Sequence, residues 1–205
     1  MENSITLYGA SGHAKVIIDA LKGASDNALT VIDDNPKSTH ILGIPIAHAA
    51  EIDLNTLKNV IISIGNNKVR KKISAMLDAT YVNAIHNSAV ISPFSKIGKG
   101  TVVMAGACIN PDAVIGDHCI INTGAVVEHD ANIANFVHIS PSASLAGNVA
   151  VGEGTHVGIG AVVIQGVSIG KWATIGAGAV IIKNVPDYAV VVGNPGKIIK
   201  YNPEV

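Results

Sequence analysis

The sequence predicts a small α/β domain followed by a long parallel β-helix, and three observations predict it. From Ile85 to Pro186 an aliphatic residue opens every hexad, without an insertion, for seventeen consecutive hexads. The fifth position of each hexad is Ala, Ser, Thr, Val or Cys, from Ala89 through Val185. Residues 1–84 do not repeat, and there short aliphatic runs alternate with helical segments. A fixed short period is the signature of a solenoid. A β-α-β alternation is that of a parallel sheet.

In the front segment, Ile5–Tyr8 reads as a buried strand and Gly9-Ala-Ser-Gly12-His13 as a glycine turn. A helix is predicted over Ala14–Lys22, a second strand over Leu29–Ile32 ending at Asp33-Asp34, and a third over Val60–Ile64. Gly65-Asn66-Asn67 then leads into a helix through about Asp78, with Asn66 as its candidate cap. Such sheets bind ligands beyond the carboxyl ends of their strands. A glycine turn at a helix N-terminus offers free N–H groups to phosphate. Asp33 lies 20 residues after His13, where this fold sets an acidic group near a ribose or base. The third glycine of G-x-G-x-x-G is missing, which argues against a dinucleotide.

In the repeat, the fifth position of one hexad and the first of the next are two apart and share a strand face. Pairs such as Ala125–Val127 and Ala143–Leu145 therefore fill an interior. Gly, Asn and Asp between them suit corners. Three hexads, 18 residues, close one coil of a prism, so seventeen make between five and six coils. A helical alternative fails, because a six-residue period does not follow a 3.6-residue face. The expected division is 1–84, 85–186 and a tail over 187–205.

Composition narrows the function. A net charge of -1 gives no support for nucleic-acid or membrane-surface binding, and no apolar run is long enough to span a bilayer. Met1 opens no recognisable signal peptide. Cys108 and Cys119 fall two hexads apart rather than a full coil of three, hence on different faces, so no disulfide is expected and a reducing cytoplasm fits. Of the five histidines in the repeat, most should be solvated corner residues. His129 stands apart, between Glu128 and Asp130. A carboxylate on one imidazole nitrogen fixes the tautomer and raises the basicity of the other, as a general base needs.

The repeat resembles the hexapeptide-repeat acyltransferases, which implies a left-handed β-helix and homotrimers with active sites between prisms. Tyr8-Gly-Ala-Ser-Gly-His13, Asp33-Asp34 and Ile64-Gly-Asn-Asn67 with Lys71-Lys72 resemble the N-terminal domain of bacterial nucleotide-sugar acetyltransferases. The likeness is strongest to the UDP-4-amino-sugar N-acetyltransferases of bacillosamine biosynthesis. It implies that Ser11, Gly12, His13, Asp33, Asp34 and Gly65 hold the UDP-sugar. The stretch Asn122-Thr…Glu128-His129-Asp130 resembles the family's catalytic segment, which implies His129 as base, with Asp130 preferred over Glu128 as its helper. Asn122 joins the substrate-binding set. His138, Ile159 and Ala177 match acetyl-CoA positions, Ala177 standing where close relatives have Gly, and Gly147 is a candidate backbone donor to the thioester oxygen.

The implied reaction is direct acetyl transfer from acetyl-CoA, a co-substrate, to the sugar's 4-amine, with no permanently bound cofactor. The last stretch, Val192 to Lys200, resembles the family's tail, with Lys183, Lys197 and Lys200 as candidates for CoA phosphates. Trp172 reads as an outward residue, open to adenine or to a neighbouring subunit. His138 and His156, one coil apart, invite a zinc reading, but the paired histidines of the hexapeptide-repeat carbonic anhydrases are absent, so no metal is expected. Alternative acceptors are sialic acid, for O-acetylation, and GDP-perosamine. A non-catalytic β-helix scaffold is the alternative from another class.

Overall fold

The computed structural model describes residues 4–24 and 28–204. Met1, on which the signal-peptide expectation bears, lies outside them. The chain opens with β1 (Ser4–Tyr8), α1 (Gly12–Ala24) and β2 (Ala28–Asp33). It continues through β3 (His40–Ile41), β4 (Ile44–His48), β5 (Val60–Ile62) and α2 (Asn67–Met76). The sheet order is β3-β4-β2-β1-β5, parallel except for the β3–β4 hairpin. That hairpin extends the three expected strands to five. It carries no Asn-Gly or Asp-Gly turn signal. Its two turn residues, Leu42 and Gly43, take φ of 47° and 78°, a left-handed geometry that a leucine does not announce.

Seventeen two-residue strands follow, from Ala84–Ile85 (β6) to Val180–Ile181 (β22). Each of the first fourteen pairs in parallel with the strand 18 residues on, as Cys108 does with Val126 and His138 with His156. They form three faces. The first runs from Ala84–Ile85 through His138–Ile139 to Thr174–Ile175, the second from Val90–Ile91 to Val180–Ile181, and the third from Lys96–Ile97 to Ser168–Ile169. The interior is the predicted ladder: Ala125, Val127, Ala143, Leu145 and Cys119 are all fully buried. Both cysteines are free. After Pro186 the period breaks, and β23 (Ala189–Val192) with β24 (Lys197–Tyr201) adds an antiparallel hairpin to the first face.

The outward column of the first face explains how the front domain docks. Its lower half is apolar: Ala84, Val102 and Ile120, with Met104 beside them, pack against Ala14, Ile17, Ile18 and Leu21 of α1. Its upper half turns polar, as His138, His156 and Thr174. Close packing stops there and a cleft begins.

The helix α2 holds the corner where the third face meets the first. Asn67 Nδ2 donates to the carbonyls of Gly154 (3.0 Å) and Thr155 (3.3 Å). Arg70 donates to those of His118 (2.8 Å) and Phe136 (2.9 Å), and Lys71 pairs with Glu153. Three helical residues rise about 4.5 Å, close to the ~4.8 Å spacing of adjacent coils. Side chains 67 and 70 therefore reach successive rungs. Trp172 belongs to this corner as well. Expected to face outward, it is 6% exposed, because its ring lies against Gly154 and under Lys71 Nζ at 5.3 Å.

Candidate active site

Two clusters emerge. The first lies at the carboxyl ends of β1, β2 and β5. Gly9, at φ 115°, makes the turn; a Cβ there would stand 2.6 Å from Ile64. The turn is pinned from three sides: Gly9 N–H donates to Ile32 O (2.8 Å), Ser63 Oγ donates to Gly9 O (2.6 Å), and Ala10 N–H donates to Asp33 Oδ2 (2.7 Å). Ser11 and Gly12 are exposed, and nothing lies within 4 Å of a Cβ built on Gly12 or Gly65. The N-terminus of α1 thus faces open space at Gly12, the geometry of an anion site, while Ala14 N–H turns back to Ser11 O at 3.0 Å. Asn66 caps α2 by accepting from Val69 N–H at 3.1 Å.

His13, on α1, faces the solenoid, its ring centroid 6.5 Å from that of His138. Asn122 orders His138. Its Oδ1 accepts from Thr123 N–H (2.8 Å), so its amide Nδ2 donates to His138 Nε2 (3.0 Å). The proton of a neutral His138 ring then sits on Nδ1, which is buried and aimed at the seam beside Gly65. Next to it stands His156, with ring centroids 4.8 Å apart and Nε2 3.1 Å from Ser140 Oγ. Beyond, an open pocket of about 310 Å³ runs between Gly65-Asn66 and His156, Trp172, Thr174 and Asn202.

His118, expected to be solvated, is therefore buried, and His138 and His156 are half-buried. His118 is sandwiched edge-on by Tyr81 and stacked on Phe136. Burial lowers His13 to about 4, His118 to about 4 and His138 to about 3, and lowers His156 too. The folded state keeps these rings neutral, while the unfolded chain protonates them below about 6.5. Stability is complete above pH 6.5 and is lost as the pH falls towards 4. Each ring contributes up to about 1.4 kcal/mol per pH unit in that window. The thermal midpoint should drop steadily between about pH 7 and pH 5 at constant ionic strength; a flat profile there would contradict neutral burial.

The second cluster is at the corner joining the second and third faces. The His129 ring is well exposed, with Nδ1 2.8 Å from Asp130 Oδ2. Asp130 reaches it because the corner residue takes φ 60°. Glu128 instead bonds the His129 backbone N–H, at 3.4 Å. An ionised carboxylate only accepts, so Nδ1 carries the ring proton and Nε2 keeps a free lone pair. The hydrogen bond to Asp130 raises the His129 pKa above its ordinary value.

Gly147, one coil on, lies beneath this ring: a Cβ there would sit 2.6 Å from Cε1 and 2.8 Å from Nε2. Gly147→Ala should push the ring off its position and lower turnover roughly 10²-fold; near-normal activity would show that the ring's place is unimportant. Ile159 and Ala177 occupy a third site, the exposed corner between the first and second faces, linked by Gly178 N–H to Ile159 O at 2.8 Å. Lys183, Lys197 and Lys200 are exposed near the solenoid's end. Within one chain, the structure brings His13, Asn122, His138 and Gly65 together. It leaves His129 at the corner opposite the first face. Arg70, Asn67, Ser63 and Tyr8 were not singled out for a role in the sequence.

Among the described residues, no group of three or more His, Cys, Asp or Glu is placed to hold a metal ion. No helix among them is long and apolar enough to cross a membrane.

Residues 4–77 match the family described as the PglD N-terminal domain, and residues 94–129 the bacterial transferase hexapeptide (six repeats). A UDP-N-acetylbacillosamine N-acetyltransferase of Bacillus subtilis (strain 168) is 42% identical over 111 residues, 50% of this chain and 51% of that protein. The match thus spans about half the length of this curated relative. PerB from Caulobacter crescentus, solved in complex with CoA and GDP-perosamine, is 38% identical, with a TM-score of 0.91 over 98% of this chain and 99% of that one. The acetyltransferase domain of PglB from Neisseria gonorrhoeae, solved with acetyl coenzyme A, is 36% identical, with a TM-score of 0.91 over 96% and 99%.

Proposed function

Since the chain belongs to the bacterial nucleotide-sugar acetyltransferases of the hexapeptide-repeat superfamily, we propose that it moves an acetyl group from acetyl-CoA to the 4-amine of a UDP-4-amino-4,6-dideoxy-N-acetyl sugar, forming UDP-N,N'-diacetylbacillosamine for glycan synthesis. The observation that carries the reading is the His129–Asp130 pair, a well-exposed ring with its tautomer set and Nε2 left as the proton acceptor. The amine attacks the thioester carbonyl as His129 Nε2 takes its proton. A C–N bond forms, the tetrahedral oxyanion meets a backbone N–H near Gly147, and the C–S bond breaks. The imidazolium then returns its proton to the departing CoA thiolate. Holding both substrates in contact supplies much of the rate. Residues 1–84 hold the nucleotide, with Ser11, Gly12, His13 and Gly65 around the diphosphate and sugar. Residues 85–186 hold acetyl-CoA along His138, Ile159 and Ala177, and residues 187–205 form the tail.

The geometry supports sites completed by a second copy. His129 stands at the corner opposite the face that carries its own front domain. The second face, which ends at that corner, turns Val90, Val126, Val162 and Val180 outward, and among the described residues no element buries Val90 or Val162. A homotrimer packed through this face would bring His129 of one copy to the nucleotide domain of the next. Two free cysteines and the co-substrate fit a cytoplasmic enzyme.

GDP-perosamine is the second reading, favoured by the near-complete overlap with the PerB complex. The test is CoA release from acetyl-CoA with the UDP-amino sugar, GDP-perosamine and sialic acid. Saturable turnover with the first alone supports the proposal. Turnover only with another acceptor replaces the substrate, and none with any returns the scaffold reading.

A further inference from the structure

Two adjacent carboxylates stand at the carboxyl end of β2, and they are bound differently. Asp33 is half-buried and commits both oxygens to main chain: Oδ2 to Ala10 N–H (2.7 Å) and Oδ1 to Asn35 N–H (2.8 Å). Asp34 is exposed, and its Oδ1 accepts from the hydroxyl of Tyr8 at 2.6 Å. Among the described residues, Asp34 Oδ2 takes no hydrogen bond. Tyr8 is 1% exposed, its ring packed with Ile32, Ile62 and Ile73 on the α2 side of the sheet. The buried ring gives its hydroxyl one direction. A short O–H···O⁻ bond is of the strong, charge-assisted kind. Burial, helped by Asp34, pushes the phenol above its ordinary range, so it stays a donor.

We propose that Tyr8 is a positioning residue for nucleoside recognition: its buried hydroxyl aims the Asp34 carboxylate so that Oδ2 accepts an N–H or O–H from the base or ribose, while Asp33 shapes the glycine turn. The inference rests on the nucleotide-sugar reading. An exposed aspartate would otherwise lose rotamer freedom on binding; one already held does not. Nothing in a sequence distinguishes the two acids, because the difference is made by a tyrosine 26 residues away.

The experiment titrates UDP, GDP and dTDP into wild type, Tyr8→Phe, Asp34→Asn and the double variant, and follows the tightest binder. Phenylalanine keeps the packing of the ring, and Asp34→Asn alters only an exposed side chain. Tyr8→Phe should weaken the nucleotide and raise KM for the nucleotide sugar roughly tenfold. Its kcat and its KM for acetyl-CoA should stay within about twofold, since the defect is confined to recognition. Asp34→Asn should lose at least as much, and the double variant no more than Asp34→Asn alone, because the hydroxyl acts only through the carboxylate. Unchanged affinity in Tyr8→Phe, or losses that add in the double variant, would overturn the assignment. If wild type binds none of the three nucleotides, the nucleotide reading itself falls and this assignment falls with it.

Discussion

His129→Ala should cut acetyl transfer by roughly 10²–10⁴-fold, the range for loss of a general base. KM for both substrates should change little, since the ring acts on the proton in flight. A free amine is already nucleophilic; what it needs is removal of its proton as the C–N bond forms. The neutral ring alone can accept that proton, so kcat/KM should fall as the pH drops through the His129 pKa. That pKa is raised by the hydrogen bond to Asp130. Asp130→Asn should therefore move the acid limb of the profile to lower pH, besides slowing the reaction by releasing the tautomer. CoA release followed across pH for the three proteins is the measurement. Activity of His129→Ala within a few-fold of wild type would remove the ring from the mechanism.

Arg70→Met should lower the thermal midpoint of the protein by roughly 10 °C, from a loss of about 3–5 kcal/mol. The guanidinium is 1% exposed and faces no carboxylate among the described residues. Its charge is spread instead over the carbonyls of His118, Phe136, Ile64 and Gly65 and the amide oxygen of Asn67. Burial brings its pKa down to about 10, still well above neutrality, so it is charged where the protein works. Removing it leaves these acceptors dry and unpaired across the domain seam. Arg70→Lys should recover little, because one ammonium cannot bridge two coils as a planar fork does. A midpoint within about 2 °C of wild type for Arg70→Met would refute this account of the seam.

How much of this could be read beforehand depends on the range of the interaction. The solenoid was legible because each hexad repeats the same local demand: an aliphatic inside, a small residue two before it, a permissive corner. The order of the front domain was legible for a similar reason, though its β3–β4 hairpin was hidden behind Leu42-Gly43. The pairing of His129 with a neighbouring acid was visible as sequence adjacency, but which acid turns to the ring was not. That was decided by the left-handed backbone at Asp130, which carries its carboxylate to Nδ1 and leaves Glu128 on the main chain. Reading most of the repeat's histidines as solvated corner residues failed at His118, which is buried, and at His156, which lies half-buried on the first face, because the front domain covers that side of the prism. Trp172 failed for the same reason.

By itself, then, the sequence determined the coil length, the interior, the strand–turn–helix order of the front domain and the identity of the candidate base, all set by residues within one or two hexads of each other. Only the tertiary structure decided where α1 and α2 seat on the prism, which histidines are neutral, what Arg70 holds, and that His129 lies away from its own front domain. Those outcomes depend on groups dozens of residues apart. Their burial and hydrogen bonds come into existence when the two domains meet, and no local pattern encodes them.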